Sequence, residues 1–186
     1  MAARSKLSTY RKKRDFAKTA EPRGAASREG DSDALRFVIQ KHAASHLHYD
    51  LRLELEGVMK SWAVPKGPPT DPEDKRLAIM VEDHPLDYAD FEGTIPEGNY
   101  GAGKVIIWDN GNYLPADSDR NVETPLSPEE KEKTNKLLHQ QIQKGHVDII
   151  LNGEKLRGEF NLIRMKNTDN KWLLLKKKLT TPENQE

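Results

Sequence analysis

Strict apolar–polar alternation, closely spaced turn formers and one well-capped helix predict a mainly β protein. The expected architecture is an antiparallel barrel or sandwich with one helix and a flexible, basic N-terminal arm. The alternation is clearest over residues 46–56. There Leu47, Tyr49, Leu51, Leu53 and Leu55 interleave with His46, His48, Asp50, Arg52, Glu54 and Glu56. A period of two puts the two sets on opposite faces of a strand.

The elements follow in order. Residues 1–34 are basic, then small and polar, with little periodicity, and read as an arm. The ordered domain is expected over 35–180, opening on a β-rich run at 35–40, with a polar tail at 181–186. After the strand at 46–56 come a turn at Glu56-Gly57 and a strand from Val58 to Val64. Residues 65–72 form a loop by composition, and 75–82 return to strand character. Residues 83–103, rich in Gly, Pro and Asp, are a long structured loop, which in a compact domain points to function. A strand follows over 104–109, and Asn110-Gly111 signals a type I′ hairpin. Ser127, Pro128 and Glu130 make a capping box for a helix to about Lys144, stopped by Gly145. Strands at 146–152 and 155–165 are expected to pair around Asn152-Gly153, and 172–176 is the last strand.

Composition narrows the class. A chain of 186 residues supports one cored domain. It has 35% hydrophobic and 32% charged residues, without an apolar run long enough for a membrane helix. The N-terminus lacks the apolar stretch of a secretory signal, so a cytoplasmic protein is expected. The absence of cysteine excludes disulfides, thiolate metal sites and cysteine nucleophiles. Thirty basic and thirty acidic residues cancel, but the basic ones gather at the ends: Arg4, Lys6, Arg11, Lys12, Lys13, Arg14 and Lys18, then Lys171, Lys176, Lys177 and Lys178. Basic ends fit a bound polyanion, and equally a pair of solvated tails.

The polar face of the strand at 46–56 carries the candidate chemistry. His48 and Asp50 leave the same face two residues apart, and His42 lies just upstream. Two imidazoles and a carboxylate leave open coordination positions, a catalytic rather than structural pattern that suits Mn²⁺ or Zn²⁺. Arg52 continues the face and can grip two phosphate oxygens, or else pair with Glu54 or Glu56. His84 and Tyr88, in the sequence Glu82-Asp83-His84-Pro85-Leu86-Asp87-Tyr88, can supply a proton donor and an oxygen near a phosphate. Lys66 and Arg76 bracket the proline-rich loop as candidate phosphate contacts, with plain surface charge as the other reading. His46, His139 and His146 read as structural or exposed. Gly98, Gly101 and Gly103 do not open a helix after a parallel strand, so they permit a tight turn rather than cradle a nucleotide. On these residues alone, a non-haem Fe(II) oxygenase using His48, Asp50 and a distant His84 stays open. So does a non-catalytic module that binds DNA ends.

Long stretches of the chain resemble the 3′-phosphoesterase module of the bacterial and archaeal DNA ligase D family. They are residues 37–54, 61–67, 82–88 and 91–103, with Trp108-Asp109, and the likeness runs from about residue 10 to 178. The resemblance implies a compact β-barrel enzyme that heals DNA 3′ ends in primer-template form for end joining. In that family a Mn²⁺-dependent phosphodiesterase step removes a terminal ribonucleoside, and a phosphomonoesterase step then leaves a 3′-OH; Zn²⁺ or Co²⁺ could replace Mn²⁺. It implies His42, His48 and Asp50 as metal ligands, Arg52 and His84 on the scissile phosphate, and Tyr88, Lys66 and Arg76 in support. It also draws in Arg14, Asp15 and Glu21 from the arm, particularly for 3′-phosphate removal. The family module is usually fused to ligase and polymerase domains, and these with Ku are the implied partners, without a membrane. The capped helix has no clear counterpart in the motifs; it can shape one wall of the substrate groove or be a neutral insertion, and the second reading is the one favoured.

Overall fold

The computed structural model describes residues 7–24, 32–116 and 120–177. The expected tail at 181–186 and the arm's residues 1–6 and 25–31 lie outside the described residues. The strands are β1 Arg36–Ala43, β2 Leu47–Leu55, β3 Val58–Val64, β4 Lys75–His84, β5 Gly93–Ile95, β6 Gly103–Pro115, β7 His146–Gly153, β8 Arg157–Arg164 and β9 Lys171–Lys176. A short helix, α1, spans Ser8–Lys12, and α2 spans Pro128–Lys144. Every pairing is antiparallel. Eight strands close in the order β1-β2-β3-β4-β9-β8-β7-β6, with β6 returning to β1, and β5 adds to β6 from outside. Closure leaves those eight strands without an unpaired edge, and it decides for the barrel over the sandwich.

Phe37, Ile39, Leu51, Leu53, Trp62, Phe160, Leu162 and Trp172 fill one core, in which the two indoles meet edge-on at 5.7 Å. The alternating partners of these residues on β1 and β2 face the other way, yet many are buried as well. They are covered by a second layer containing Tyr10, Phe16, Tyr88, Phe91 and Ile95, joined by Leu86 and Ala89 over Val38 and Met59. The polar face of β2 is therefore an interior surface between barrel wall and outer layer.

Four expectations change. Residues 7–24 are not a solvated tail: Leu7 and Tyr10 are buried, with Tyr10 fully enclosed. A five-residue helix is too short to show a periodicity, so its anchors were invisible in the pattern. His42 belongs to β1, directly across from His48, rather than to a segment before the strand. Asn110-Gly111 makes no hairpin, because β6 runs straight through it. Gly111 serves close approach instead: a Cβ there would collide with the Asn152 carbonyl on β7. The β7–β8 turn is centred on Glu154-Lys155, and the buried Asp109 carboxylate sets it by accepting the backbone N–H groups of Glu154, Lys155 and Leu156 at 2.8–3.0 Å.

Helix α2 starts as expected, with reciprocal bonds between Ser127 and Glu130, and it ends on left-handed Gly145. It is built into the fold. Leu138 and Ile142 pack into the barrel core, and the Lys131 ammonium bonds the Glu54 carboxylate at 3.2 Å.

Candidate active site

Register places the site. The β1–β2 pairing sets His42 opposite His48 and Gln40 opposite Asp50, and all four share the outward face. One ligand atom from each of His42, His48 and Asp50 lies within 4.8 Å of the others, the separation at which three donors converge on one cation. Asp50 Oδ2 sits 3.6 Å from His42 Nδ1 and 3.3 Å from His48 Nε2. The remaining ring nitrogens are occupied: His42 Nε2 donates to the Gly101 carbonyl at 2.6 Å, and His48 Nδ1 to the His46 carbonyl at 3.2 Å. A carbonyl only accepts, so these outer nitrogens carry N–H; the inner nitrogens, His42 Nδ1 and His48 Nε2, then offer a lone pair to a cation when the ring is neutral and an N–H to Asp50 when it is protonated. Residues thus arranged fit a divalent metal. Burial alone would raise the Asp50 carboxyl, but hydrogen bonds from His42 and His48 and the Arg52 charge hold it far below the usual range. The same bond to Asp50 raises His48.

Arg52 is held in a fixed fork. Its Nε donates to Gln40 at 2.6 Å, Nη1 donates to Ser61 at 2.9 Å, and Nη2 lies 3.6 Å from Asp50 Oδ2. The Tyr88 ring lies 4.6 Å from the guanidinium carbon. Gln40 is itself locked, donating to the Tyr88 and Phe91 carbonyls. Glu54 is used by Lys131 and by the Arg36 N–H, so Arg52 turns to Asp50 rather than to Glu54.

The arm completes the next shell. Glu21 is buried and accepts from Tyr88 Oη at 2.6 Å, Thr19 at 3.0 Å and Arg14 Nε at 3.1 Å. Arg14 also bonds the Tyr10 carbonyl and stacks 3.9 Å from the Tyr10 ring. The Tyr10 hydroxyl donates to the Pro22 carbonyl. His84 is enclosed edge-on between Tyr10 and Tyr88, with ring centroids 4.9 and 4.7 Å away. Burial, then the charges of Arg52 and Arg14, push His84 well below the ordinary histidine value, so it is neutral near pH 7. Its Nδ1 lies 2.9 Å from the Glu82 carbonyl, which leaves Nε2 as the lone-pair nitrogen. Burial raises both the Tyr10 and Tyr88 phenols and keeps them protonated.

Other candidates stand apart from this cluster. Asp15 is exposed, and its carboxylate accepts the Ala17 N–H two residues on. Lys66 is exposed, while Arg76 ties its own loop by donating to the Lys66 carbonyl at 2.7 Å and to Asp74. His139 and His146 contact the Glu56 and Asp148 carboxylates at 3.1 and 2.9 Å, away from the triad. His84 is not among the three clustered donors, so the oxygenase set of His48, Asp50 and His84 does not form.

Residues 40–164 match the DNA ligase D 3′-phosphoesterase domain. The chain belongs to that family. It is 48% identical over 180 residues to a multifunctional non-homologous end joining protein LigD of Pseudomonas aeruginosa, covering 96% of this chain and 19% of that protein. Against LigD proteins of Mycobacterium tuberculosis and Mycolicibacterium smegmatis it is 43% identical, covering 90% of this chain and 19% and 20% of theirs. The chain thus spans about one fifth of the length of the curated relatives it matches.

In this phosphoesterase domain, sequence reasoning missed Gln40, Ser61, Glu82, Tyr10 and the Gly101 carbonyl. Gln40 and Ser61 share the face of His42 and Asp50, and strand parity with a register would have found them. Tyr10 and Gly101 are joined to the site only through tertiary contacts.

Proposed function

We propose that this chain is a metal-dependent phosphoesterase that heals DNA 3′ ends. It would remove a 3′-terminal ribonucleoside as a phosphodiesterase, then the 3′-phosphate as a phosphomonoesterase, leaving a 3′-OH for end joining. The observation that carries the reading is the convergence of His42, His48 and Asp50 beside an arginine locked onto the same carboxylate. Two imidazoles and a carboxylate suit a divalent transition metal; on the family likeness we take Mn²⁺ first, with Zn²⁺ or Co²⁺ as substitutes. His42, His48 and Asp50 would hold such an ion, which would supply Lewis-acid charge to a phosphate oxygen.

The chain's own residues do the rest. Arg52 Nη2, the arm of the fork nearest Asp50, binds a second phosphate oxygen and neutralises charge as the leaving oxygen departs. The buried face of Tyr88 keeps that guanidinium from swinging. A neutral His84 with a free Nε2 accepts a proton rather than delivering one, which favours a base role over an acid one. Arg14 and Glu21 position Tyr88 and Tyr10 around His84, and through them the phosphate-removal step. Lys66 and Arg76 are proposed as supporting phosphate contacts, and Asp15 is proposed to act with Arg14 and Glu21 in phosphate removal. Ligase, polymerase and Ku components of end joining are the proposed partners, and the cytoplasm the proposed place of action. Among the described residues, no helix is long and apolar enough to cross a membrane.

The test gives the protein Mn²⁺ and a primer-template ending in one ribonucleotide. The primer should shorten through a 3′-phosphate to a 3′-OH, and His48→Ala or Asp50→Ala should abolish both steps. Turnover that needs Fe²⁺, oxygen and an oxoacid instead would sink the reading.

A further inference from the structure

The inward-facing positions of the barrel wall continue past the core to one rim. On β1 and β2 the alternation that puts Ile39 and Leu51 inside also turns Lys41, Ala43, Leu47 and Tyr49 inward. On β6, Trp108 packs against the core, and Ile106 and Lys104 follow it on the same face. Register fixes their neighbours: Lys41 stands between Tyr49 and Ile106, and Ala43 between Leu47 and Lys104. This rim is the barrel mouth where β1 ends and β2 and β6 begin.

The mouth has a firm floor. Tyr49 and Trp108 meet edge-on at 5.7 Å, and Gly67 backs the tyrosine, since a Cβ there would stand 3.1 Å from its ring. Lys155 donates to the Trp108 carbonyl at 2.7 Å with its ammonium 4.6 Å from the indole centre, so further N–H donors remain. Around this floor Leu47 and Ile106 are 52% and 37% exposed. Lys104 is exposed and Lys41 half-buried, and neither ammonium has a partner among the described residues. Three acids of this end are spent within the protein: Asp109 on the β7–β8 turn, Asp74 on Arg76 and Glu159 on Lys177.

Cations alternate with apolar side chains here, as phosphates alternate with sugars along a nucleic-acid backbone. Lys41 and Lys104 are diagonal neighbours on the β1–β6 ladder, which puts their Cα atoms about 7–8 Å apart. That is roughly two of the 3.4 Å steps between charges on one strand of a duplex, so each ammonium can take its own phosphate. The mouth also shares its rim with the metal triad. Lys41 and His42 are consecutive on β1, so one side chain enters the mouth while the next faces Asp50 on the outer surface.

We propose that the barrel mouth docks the duplex behind the reacting 3′ terminus, with phosphates on Lys41, Lys104 and Lys155 and sugar edges on Leu47 and Ile106. The proposal rests on the 3′-end reading above, and it adds the surface that holds the paired part of the primer-template. Contacts of this kind set position on the backbone without reading sequence.

Binding of a fluorescein-labelled primer-template is measured by anisotropy, without metal, across a salt series. Lys41→Ala with Lys104→Ala should raise Kd about tenfold and flatten the slope of log K against log salt by about 1.8, as two duplex phosphates lose their lysines. Leu47→Ser with Ile106→Ser should raise Kd about threefold with the slope unchanged, since the slope counts only released counterions. Lys144→Ala with Lys166→Ala removes the same charge at the opposite end of the barrel and should leave Kd within about twofold. Should the half-buried Lys41 prove necessary for folding, Lys104→Ala with Lys155→Ala, both exposed, carries the same expectation. Normal duplex binding in the lysine variants, or an equal loss in the opposite-end control, would overturn the proposal. Turnover is scored separately: a wild-type protein that docks the duplex through the mouth but leaves 3′ ends intact removes the phosphoesterase reading alone. One that trims ends while the lysine variants bind normally removes the mouth alone.

Discussion

His42 and His48 face each other across the β1–β2 ladder with ring centroids 4.8 Å apart, and each spends its outer nitrogen on a backbone carbonyl. The pair is preorganised by strand geometry, and the carbonyl of Gly101 is the only brace on His42 that lies outside its own two-stranded ribbon and Asp50, among the described residues.

That brace can be loosened by one methyl group. Gly101 has φ +76°, and an added Cβ would stand 3.4 Å from His42 Cε1. Gly101→Ala should lower Mn²⁺ affinity about 10- to 100-fold, the usual effect of disturbing a ligand's outer partner. Calorimetric titration with Mn²⁺ checks it, and unchanged affinity would remove the orienting role.

Arg52→Lys should not behave as a conservative change. A lysine keeps the charge but cannot serve Gln40, Ser61 and the Asp50 side together as the guanidinium does. We expect kcat/KM on a 3′-phosphorylated primer to fall by about 100-fold, with Mn²⁺ affinity nearly intact. A parallel loss of metal binding would instead make Arg52 a structural prop for Asp50.

Tyr88→Phe separates the ring from its hydroxyl. The ring stays beneath Arg52, while Glu21 loses its shortest hydrogen bond in a buried setting. Stability should drop by about 1–3 kcal/mol in urea titration. Phosphate removal should suffer more than the first cleavage, the pattern also expected for Glu21→Gln. Equal loss of both steps would place the Tyr88 hydroxyl in the shared chemistry.

His84 gives a pH signature. Its folded pKa lies below the unfolded value of about 6.5, so below that pH the unfolded chain binds the extra proton first and stability falls. Above it both states are neutral at His84 and the contribution is flat. Urea titrations at pH 7.5 and 5.5 should show the loss, and His84→Gln should reduce it. An unaltered pH dependence in the variant would assign the effect to other groups.

Removing the arm should cost more than substrate binding. Tyr10 is fully buried against His84 and Tyr88, so deleting residues 1–24 uncovers that layer. A lower Tm and a weakened phosphate-removal step are expected together. An unchanged Tm would return the arm to the solvated tail its composition suggests.

The sequence by itself determined the strand at 46–56, the capped helix at 127–145 and the residue types of the metal set, because periodicity, capping and ligand chemistry are local. It also carried the family likeness, through motifs long enough to stand without a structure. Only the tertiary structure decided what those residues meet. Asn110-Gly111 has the composition of a turn, yet barrel closure draws β6 through it and needs the glycine for β7 to approach. Gln40 and Ser61 are ordinary strand residues until register sets them against Arg52. The polar face of β2 carries the candidate chemistry already in the sequence, but only the fold shows the arm and the 86–91 segment burying it; that burial gives His84 its neutrality, while His42, His48 and Arg52, brought beside Asp50, give its carboxyl a low proton affinity. Burial and long-range pairing depend on residues far apart in the chain, and no local pattern encodes them.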